Sequence, residues 1–299
     1  MQISEIHKIL RAVDIPAVTI EPYRENLYLV DDEYVLKIST DEQRAKLDRV
    51  NSLRMVPKVH SSGMFGEYHY LIYDYIRGDE LWNIAPCLTD EQQRSLGEEI
   101  AQFLNELHSI KGEFYDIGHY IPTVAKYEKS WKDGHLEYIE ILQNGISRME
   151  LMPDSPKIIA NAFDYIRANI DVLEHQTGPT LLHNDFHLKN IIVHEGKLAG
   201  VIDWECSQYG EADFELSRLF DWCIFPDNYL NRDSSLEILL KSVIKNMRNI
   251  SLIPCIKKRI TIYQLEHEIN QLIWRGKKQE NERIHRINEW LDSNVEQFL

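Results

Sequence analysis

The chain has 299 residues and a mass of 35.3 kDa, enough for one large domain or two modest ones to close a core without disulfide or metal staples. Its 43% hydrophobic and 27% charged side chains are ordinary for a soluble domain and exclude the disordered and fibrous classes. The formal net charge of −15 repels nucleic-acid phosphates and anionic lipid, and favours a cationic small molecule as partner. No apolar run approaches the ~18 residues of a spanning helix. The first residues, Met1 to His7, show neither a basic leader nor a long apolar one, so the reading is a cytoplasmic, unprocessed chain. Cys87, Cys206, Cys223 and Cys255 form no C-x-x-C pair and read as four buried reduced thiols. Residues 231–288 carry 12 basic and 6 acidic side chains at helical spacing, which reads as solvated helix faces.

Up to about residue 75 the pattern is mixed. Leu27 to Val30 and Tyr34 to Ile38 are strand-like and the acidic residues between them are turn chemistry, which predicts a hairpin. Asp41 to Leu53 reads as a helix. Pro57 to His60 and Tyr68 to Tyr73 are two more strand candidates around a glycine-bearing turn at Gly63 to Gly66, giving a small antiparallel sheet with a helix on it. After Gly78 the period turns helical. Thr89 offers an N-cap before Leu96, Ile100, Phe103, Leu104 and Leu107, and that helix ends near His108. Residues 111–150, rich in Tyr, Trp, Gly and His, read as an irregular or inserted segment. Lys157 to Leu173 is helical again. Short strand candidates follow at 181–182, 191–193 and 198–202, and from Phe214 onward the pattern is helical. No internal repeat and no low-complexity segment interrupts the chain.

The most informative stretch is His183-Asn184-Asp185-Phe186-His187-Leu188-Lys189-Asn190, followed by Gly200-Val201-Ile202-Asp203-Trp204-Glu205. It sets a carboxylate and an amide five residues apart between two apolar strands and ends the next strand in another carboxylate. Phosphoryl transfer needs those parts: a carboxylate to orient and deprotonate the attacking hydroxyl, and oxygen ligands to hold Mg²⁺ against nucleotide phosphates. Alone, Asp185 and Asn190 would read as hairpin-turn residues. His183 two before and Asp203 thirteen after Asn190 favour the functional reading. His187 and His194, with nothing at ligand spacing, read as surface or loop histidines. Lys37 lies in the middle of the apolar strand Tyr34 to Ile38, where an ammonium needs an anion; ATP phosphates would supply one, and an edge-strand lysine reaching water is the alternative.

These motifs resemble the aminoglycoside phosphotransferase family, antibiotic and small-metabolite kinases that share the protein-kinase fold. The resemblance implies an α+β, bilobal architecture with a small β-rich N-lobe over 1–75, a hinge at 76–78 and a mainly helical C-lobe over 79–299. By the same resemblance Asp185 is the catalytic base, His183 braces its loop, and Asn190 and Asp203 hold Mg²⁺. Lys37 would contact the phosphates of ATP or GTP and pair with an acidic residue on the next helix, which offers Glu42 and Asp48. Backbone groups of Asp74, Tyr75 and Ile76 would bind the purine edge. In place of a glycine-rich loop stands Pro22-Tyr23-Arg24-Glu25-Asn26. Glu211 and Asp213 read as caps of the following helix. Near the C-terminus, Leu265, Ile269, Leu272 and Ile273 make a core stripe with polar and aromatic flanks. Glu268 and Trp274 on that helix, with Glu205, are the candidate contacts for a cationic acceptor, with ordinary helix packing the alternative for Glu268 and Trp274. The implied activity is transfer of the γ-phosphoryl of ATP or GTP to a hydroxyl of an aminoglycoside-type antibiotic, hygromycin included. A choline- or homoserine-type metabolite kinase and a nucleotide-binding pseudokinase are the rivals.

Overall fold

A computed structural model describes residues 2–39, 44–115, 130–224, 236–248 and 250–293. The chain divides into two compact units, Met1–Ile84 with Leu188–Glu205, and Ala85–His187 with Cys206–Leu299. The His183–Asn190 stretch therefore runs from the second unit into the first between His187 and Leu188.

The first unit opens with α1 (Ile3–Ala12), whose Ile6, Ile9 and Leu10 recur on one face and pack against the sheet residues Tyr28, Val30, Leu36, Ile38 and Ile72. That sheet is antiparallel, with β1 (Ile20–Arg24), β2 (Leu27–Val30), β3 (Tyr34–Ser39), β4 (Val59–Phe65) and β5 (Tyr68–Asp74) in the order β1-β2-β3-β5-β4. The expected hairpin is β2–β3, paired from Leu27↔Lys37 to Val30↔Tyr34. Asp31 and Asp32 in its turn both take a left-handed φ, near 52° and 53°, which Asp tolerates better than most residues. The Asp31 carboxylate also accepts from the Val18 and Thr19 amides, at 3.0 and 2.6 Å, and these bonds lower its pKa. Between β4 and β5 only Gly66, at φ 63°, makes the turn. Gly63 is a strand residue instead, and an added Cβ there would meet the Tyr70 hydroxyl at 2.7 Å.

The helix expected over 41–53 is shorter. Residues 40–43, with Glu42, lie outside the described residues; α2 spans Arg44–Asp48, and turns follow over Val50, Asn51 and Ser52, which are weak helix formers. A second small sheet, β6 (Asp79–Glu80), β8 (Ile191–His194) and β9 (Lys197–Val201), completes the first unit in the order β6-β8-β9. The short α3 (Leu81–Ile84) follows β6.

The second unit is mainly helical. In α4 (Asp90–Leu107) Thr89 caps as expected: its hydroxyl accepts from the Gln92 amide and the Gln92 side chain accepts from the Thr89 amide. The segment expected to be irregular contains α5 (Trp131–Ile146), capped by Ser130 and burying Trp131, His135, Tyr138, Ile139 and Leu142. Trp131, His135 and Tyr138 carry polar atoms on their rings, so a hydrophobicity pattern understates the helix. Next come α6 (Ser155–Asn169), the two-stranded pair β7 (Thr180–Leu182) and β10 (Gln208–Gly210), then α7 (Ala212–Ile224), α8 (Glu237–Asn246), α9 (Ile256–Arg275) and α10 (Glu280–Asp292). α9 is not a surface helix with one core stripe. From Arg259 to Glu266 every residue is buried, so it runs through the core of its unit. Nor are all four cysteines buried: Cys87 and Cys255 are exposed, and all four are free thiols. Among the described residues no helix is long and apolar enough to cross a membrane.

Candidate active site

The first unit holds a cleft of about 220 Å³. Its lining combines the apolar Leu27, Val35, Ile192 and Ile202 with Lys37, Asp203 and the strand-end residues Asp74 to Ile76. Apolar side chains with a few convergent polar groups are the usual make-up of a small-molecule site. Three local features shape it. The β1–β2 turn, which stands where a glycine-rich loop would, closes through Glu25 and Asn26, with Asn26 at φ 58°. Arg24 beside that turn pairs with Glu80. Gly78, at φ 141°, brings the chain so close to β8 that a Cβ would lie 2.5 Å from the Val193 carbonyl oxygen.

Asp74, Tyr75 and Ile76 all line the cleft, but two of their amides are engaged. Asp74 N–H donates to the Lys58 carbonyl at 3.0 Å and Tyr75 N–H to the Glu33 carbonyl at 2.8 Å. Lys37 reaches in from β3, flanked in sequence by the buried Leu36 and Ile38. Its Nζ lies 2.6 Å from Glu205 Oε2 and 3.7 Å from Asp203 Oδ1. The acidic partner is thus not on α2, whose Asp48 is engaged by Arg44 at 3.3 Å. Burial, with the negative charges of Asp203 and Glu205, raises the Tyr73 phenol above its ordinary range.

Asn190 is 3% exposed, and its carbonyl accepts from the Ile202 amide at 3.0 Å, which ties the end of the His183–Asn190 stretch to the residue before Asp203. Asp203 itself takes φ 65°, turning the chain sharply at the end of β9. One carboxylate and one amide oxygen are hard donors of the kind Mg²⁺ accepts when phosphates and waters complete its shell, so the residues present fit that ion. Among the described residues no three His, Cys, Asp or Glu side chains gather as a metal site of their own.

The second unit carries Asp185. After β7 the chain turns through Asn184 at φ 67°, and the buried Glu215 of α7 accepts both the His183 amide at 2.5 Å and the Asn184 amide at 2.9 Å. His183 is fully buried, and its Nδ1 accepts from the Asp185 amide at 3.2 Å, so its ring proton sits on Nε2. Burial pushes the Asp185 carboxyl up, but His187, with Arg218 and His183, more than offsets this and brings it down to about 2. His187 lies in a loop, as expected, with its side chain 18% exposed. Its Nε2 lies 3.5 Å from Asp185 Oδ2 and its ring stacks on Trp222 at 4.7 Å.

Glu211 and Asp213 do not cap α7. Glu211 is fully buried and accepts from the Thr177 and Gly178 amides and the Tyr115 hydroxyl, while Asp213 forms a buried two-bond pair with Arg259 of α9 at 2.5 and 3.0 Å. Both hold the frame around β7 and α7. Glu268 is likewise enclosed: it is fully buried, 2.9 Å from Arg283 and 3.8 Å from Arg286, which also pairs with Asp221 at 3.0 Å. Burial and the nearby Asp221 raise its carboxyl to about 7 against the opposing arginines. It faces core, so it does not line an acceptor cleft. Trp274, by contrast, is 78% exposed at the end of α9.

The first unit's apolar cleft with a lysine and a carboxylate, and the second unit's aspartate on a clamped loop, each carry side-chain types that phosphoryl transfer uses. Residues 20–234 match the profile of the phosphotransferase enzyme family, and the chain belongs to that family. It is accordingly an enzyme that transfers a phosphoryl group to a hydroxyl. Among solved structures the chain is similar to aminoglycoside phosphotransferase APH(4)-Ia, with a TM-score of 0.72 at 16% identity over 98% of this chain and 99% of that one. It is also similar to the ADP-bound aminoglycoside phosphotransferase APH(2'')-Ib, with a TM-score of 0.66 at 19% identity over 100% of both chains. A third is the streptomycin–ATP complex of APH(2'')-IIa, with a TM-score of 0.66 at 19% identity over 100% and 99%. These similarities establish the fold. No curated protein matches the sequence.

Proposed function

We propose that this enzyme moves the γ-phosphoryl group of ATP or GTP to a hydroxyl of a cationic, aminoglycoside-type small molecule. The observation that carries the reading is Asp185: a carboxylate held at about 2, on a loop clamped by Glu215, is ionised and positioned to orient an acceptor hydroxyl and take its proton. In the first unit Leu27, Val35, Ile192 and Ile202 would enclose the purine, whose edge would be read by carbonyl oxygens of Asp74 and Tyr75 and by Ile76. Lys37 would neutralise phosphate oxygens. Asn190 and Asp203 would hold Mg²⁺, which would supply positive charge against the phosphates during transfer. Solved structures similar to this chain support both substrates: one is a ternary complex of APH(4)-Ia with AMP-PNP and hygromycin B, and another a gentamicin complex of APH(2'')-IIa. Such chemistry on an antibiotic would give resistance, and it suits the cytoplasm, where nucleotide is supplied.

A second acceptor class, a small amino-alcohol metabolite, is favoured by one observation. Two carboxylates expected to bind a polycation, Glu268 and Glu205, are engaged within the protein by Arg283 and Lys37. Phosphorylation of a panel of aminoglycosides and amino alcohols, followed by mass shift of the acceptor with Mg²⁺ and either nucleotide, separates the two. Transfer to an aminoglycoside supports the first reading. Transfer confined to amino alcohols replaces it with the second, and no transfer to any alcohol defeats both.

A further inference from the structure

Lys37 stands between two spaces of the first unit. It lines the 220 Å³ cleft together with Tyr73 and Asp203, and the same three residues line a smaller recess of about 30 Å³. Glu205 lines only the recess, in company with Lys46 and Pro57. It nonetheless makes the shortest ionic contact to Lys37, at 2.6 Å against 3.7 Å for Asp203. The local chain explains how it gets there. After the left-handed turn at Asp203, Trp204 is 3% exposed and donates its indole N–H to the Val201 carbonyl at 2.9 Å, fixing the short 3₁₀ turn Trp204–Cys206 and with it the direction of Glu205.

We infer that Glu205 is the positioning residue of Lys37, acting on the nucleotide through the lysine rather than touching nucleotide, metal or acceptor. A lysine side chain has four rotatable bonds and a compact ammonium with three donors, so a fixed carboxylate on one side selects one of its many reaches. Glu205 supplies that carboxylate from the recess, while Lys37 also lines the cleft. Because Glu205 stays out of the cleft lining, its charge restrains the ammonium without occupying the place of a phosphate. This makes the Asp203-Trp204-Glu205 turn a single device: Asp203 presents an oxygen ligand to the cleft, and two residues later Glu205 sets the cation that faces the same anions.

The inference rests on the cleft being the nucleotide site, and a binding cycle separates the two. Titration calorimetry with Mg²⁺ and a non-hydrolysable ATP analogue is run on wild type, Glu205→Gln, Glu205→Asp, Lys37→Met and the Glu205→Gln/Lys37→Met double variant. Loss of the charge-assisted contact should raise the nucleotide Kd about tenfold in Glu205→Gln, with part of the affinity kept by the acidic but shorter Asp. In the double variant the Kd should equal that of Lys37→Met alone within about twofold, because the carboxylate then has nothing to position. The Mg²⁺ concentration giving half-maximal binding and the acceptor KM should stay at wild-type values in Glu205→Gln. Multiplicative effects in the double variant would overturn the positioning role, a changed Mg²⁺ requirement would make Glu205 a metal ligand instead, and a changed acceptor KM alone would return it to the acceptor site. Absence of nucleotide binding by wild type would defeat the nucleotide reading itself, and this inference with it.

Discussion

Glu215 offers a test of how the second unit holds Asp185, the proposed base. The side chain is 1% exposed and accepts the backbone amides of His183 and Asn184 at 2.5 and 2.9 Å, the two residues just before Asp185. A hydrogen bond to a charged group contributes about 1.5–3 kcal/mol, so Glu215→Ala should cost about 3–6 kcal/mol, with two buried N–H groups left unpaired. Total stabilities run about 5–15 kcal/mol, so the alanine variant stands near the edge of folding. Glu215→Gln is the more informative change. Its amide oxygen can accept one N–H, while its NH₂ faces the other, and roughly half the loss is expected. Catalysis should suffer more than stability, since displacing a catalytic group by about 1 Å can cost ~10²-fold in rate. Thermal unfolding, turnover and nucleotide affinity should be measured on the same Gln variant. The expected result is a lowered Tm, turnover down by about 10–100-fold and an unchanged nucleotide Kd, because the cleft lies in the other unit. A Gln variant with wild-type Tm and turnover would refute the clamp.

Three further outcomes follow from the geometry. His187→Gln should raise the Asp185 pKa by about a unit or more, because burial still pushes that carboxyl up when the neighbouring imidazole is gone; since the base must be ionised, the acid limb of kcat/KM should move to higher pH, and superimposable pH profiles would exclude His187 from this role. Asp203→Ala should remove the Mg²⁺ dependence of nucleotide binding in calorimetry, and equal metal dependence in wild type and variant would count against Asp203 as a ligand. Glu268→Gln should leave the acceptor KM within about twofold, the size of effect expected when no direct contact is lost. Burial makes the folded protein hold the Glu268 proton above the ordinary 4.5, up to about 7. Wild type must therefore ionise a disfavoured carboxyl as pH rises through that window and loses stability relative to the amide. Unfolding curves at pH 5 and pH 8 should show the variant gaining on wild type at the higher pH; a constant difference would mean that the arginines keep Glu268 ionised throughout.

The features legible in the sequence are local ones. Thr89 and Gln92 announce α4 because a capping box is a contact between residues three apart, and the β2–β3 hairpin is equally short-range. The carboxylate, amide and second carboxylate of residues 185–203 stand out for the same reason, since the pattern lies in spacing along one loop and two strands. Long-range partners are not legible. Nothing in the sequence joins Lys37 to Glu205 across 168 positions. Glu268 reads as a helix flank until α10 brings Arg283 and Arg286 over it. Glu211 and Asp213 have the composition of caps, yet their carboxylates reach segments 34 and 46 residues away. His187 gives no signal because its contacts include a neighbour only two residues away, Asp185, and the ring of Trp222 on α7. α5 is hidden for a different reason: its buried face is built from Trp, His and Tyr, which hydropathy scores as half polar although packing treats them as core.

The proposed mechanism turns on Asp185 acting on the acceptor hydroxyl and not on the nucleotide. Single-turnover transfer with Asp185→Asn, measured beside the nucleotide Kd of the same protein, tests it most directly. Transfer should slow by about 10²–10⁴-fold with the nucleotide Kd unchanged, since a positioned general base contributes on that scale and Asn keeps the shape without the charge. Transfer at the wild-type rate would remove Asp185 from the chemistry, and a weakened nucleotide Kd with normal transfer at saturation would make it a binding group instead.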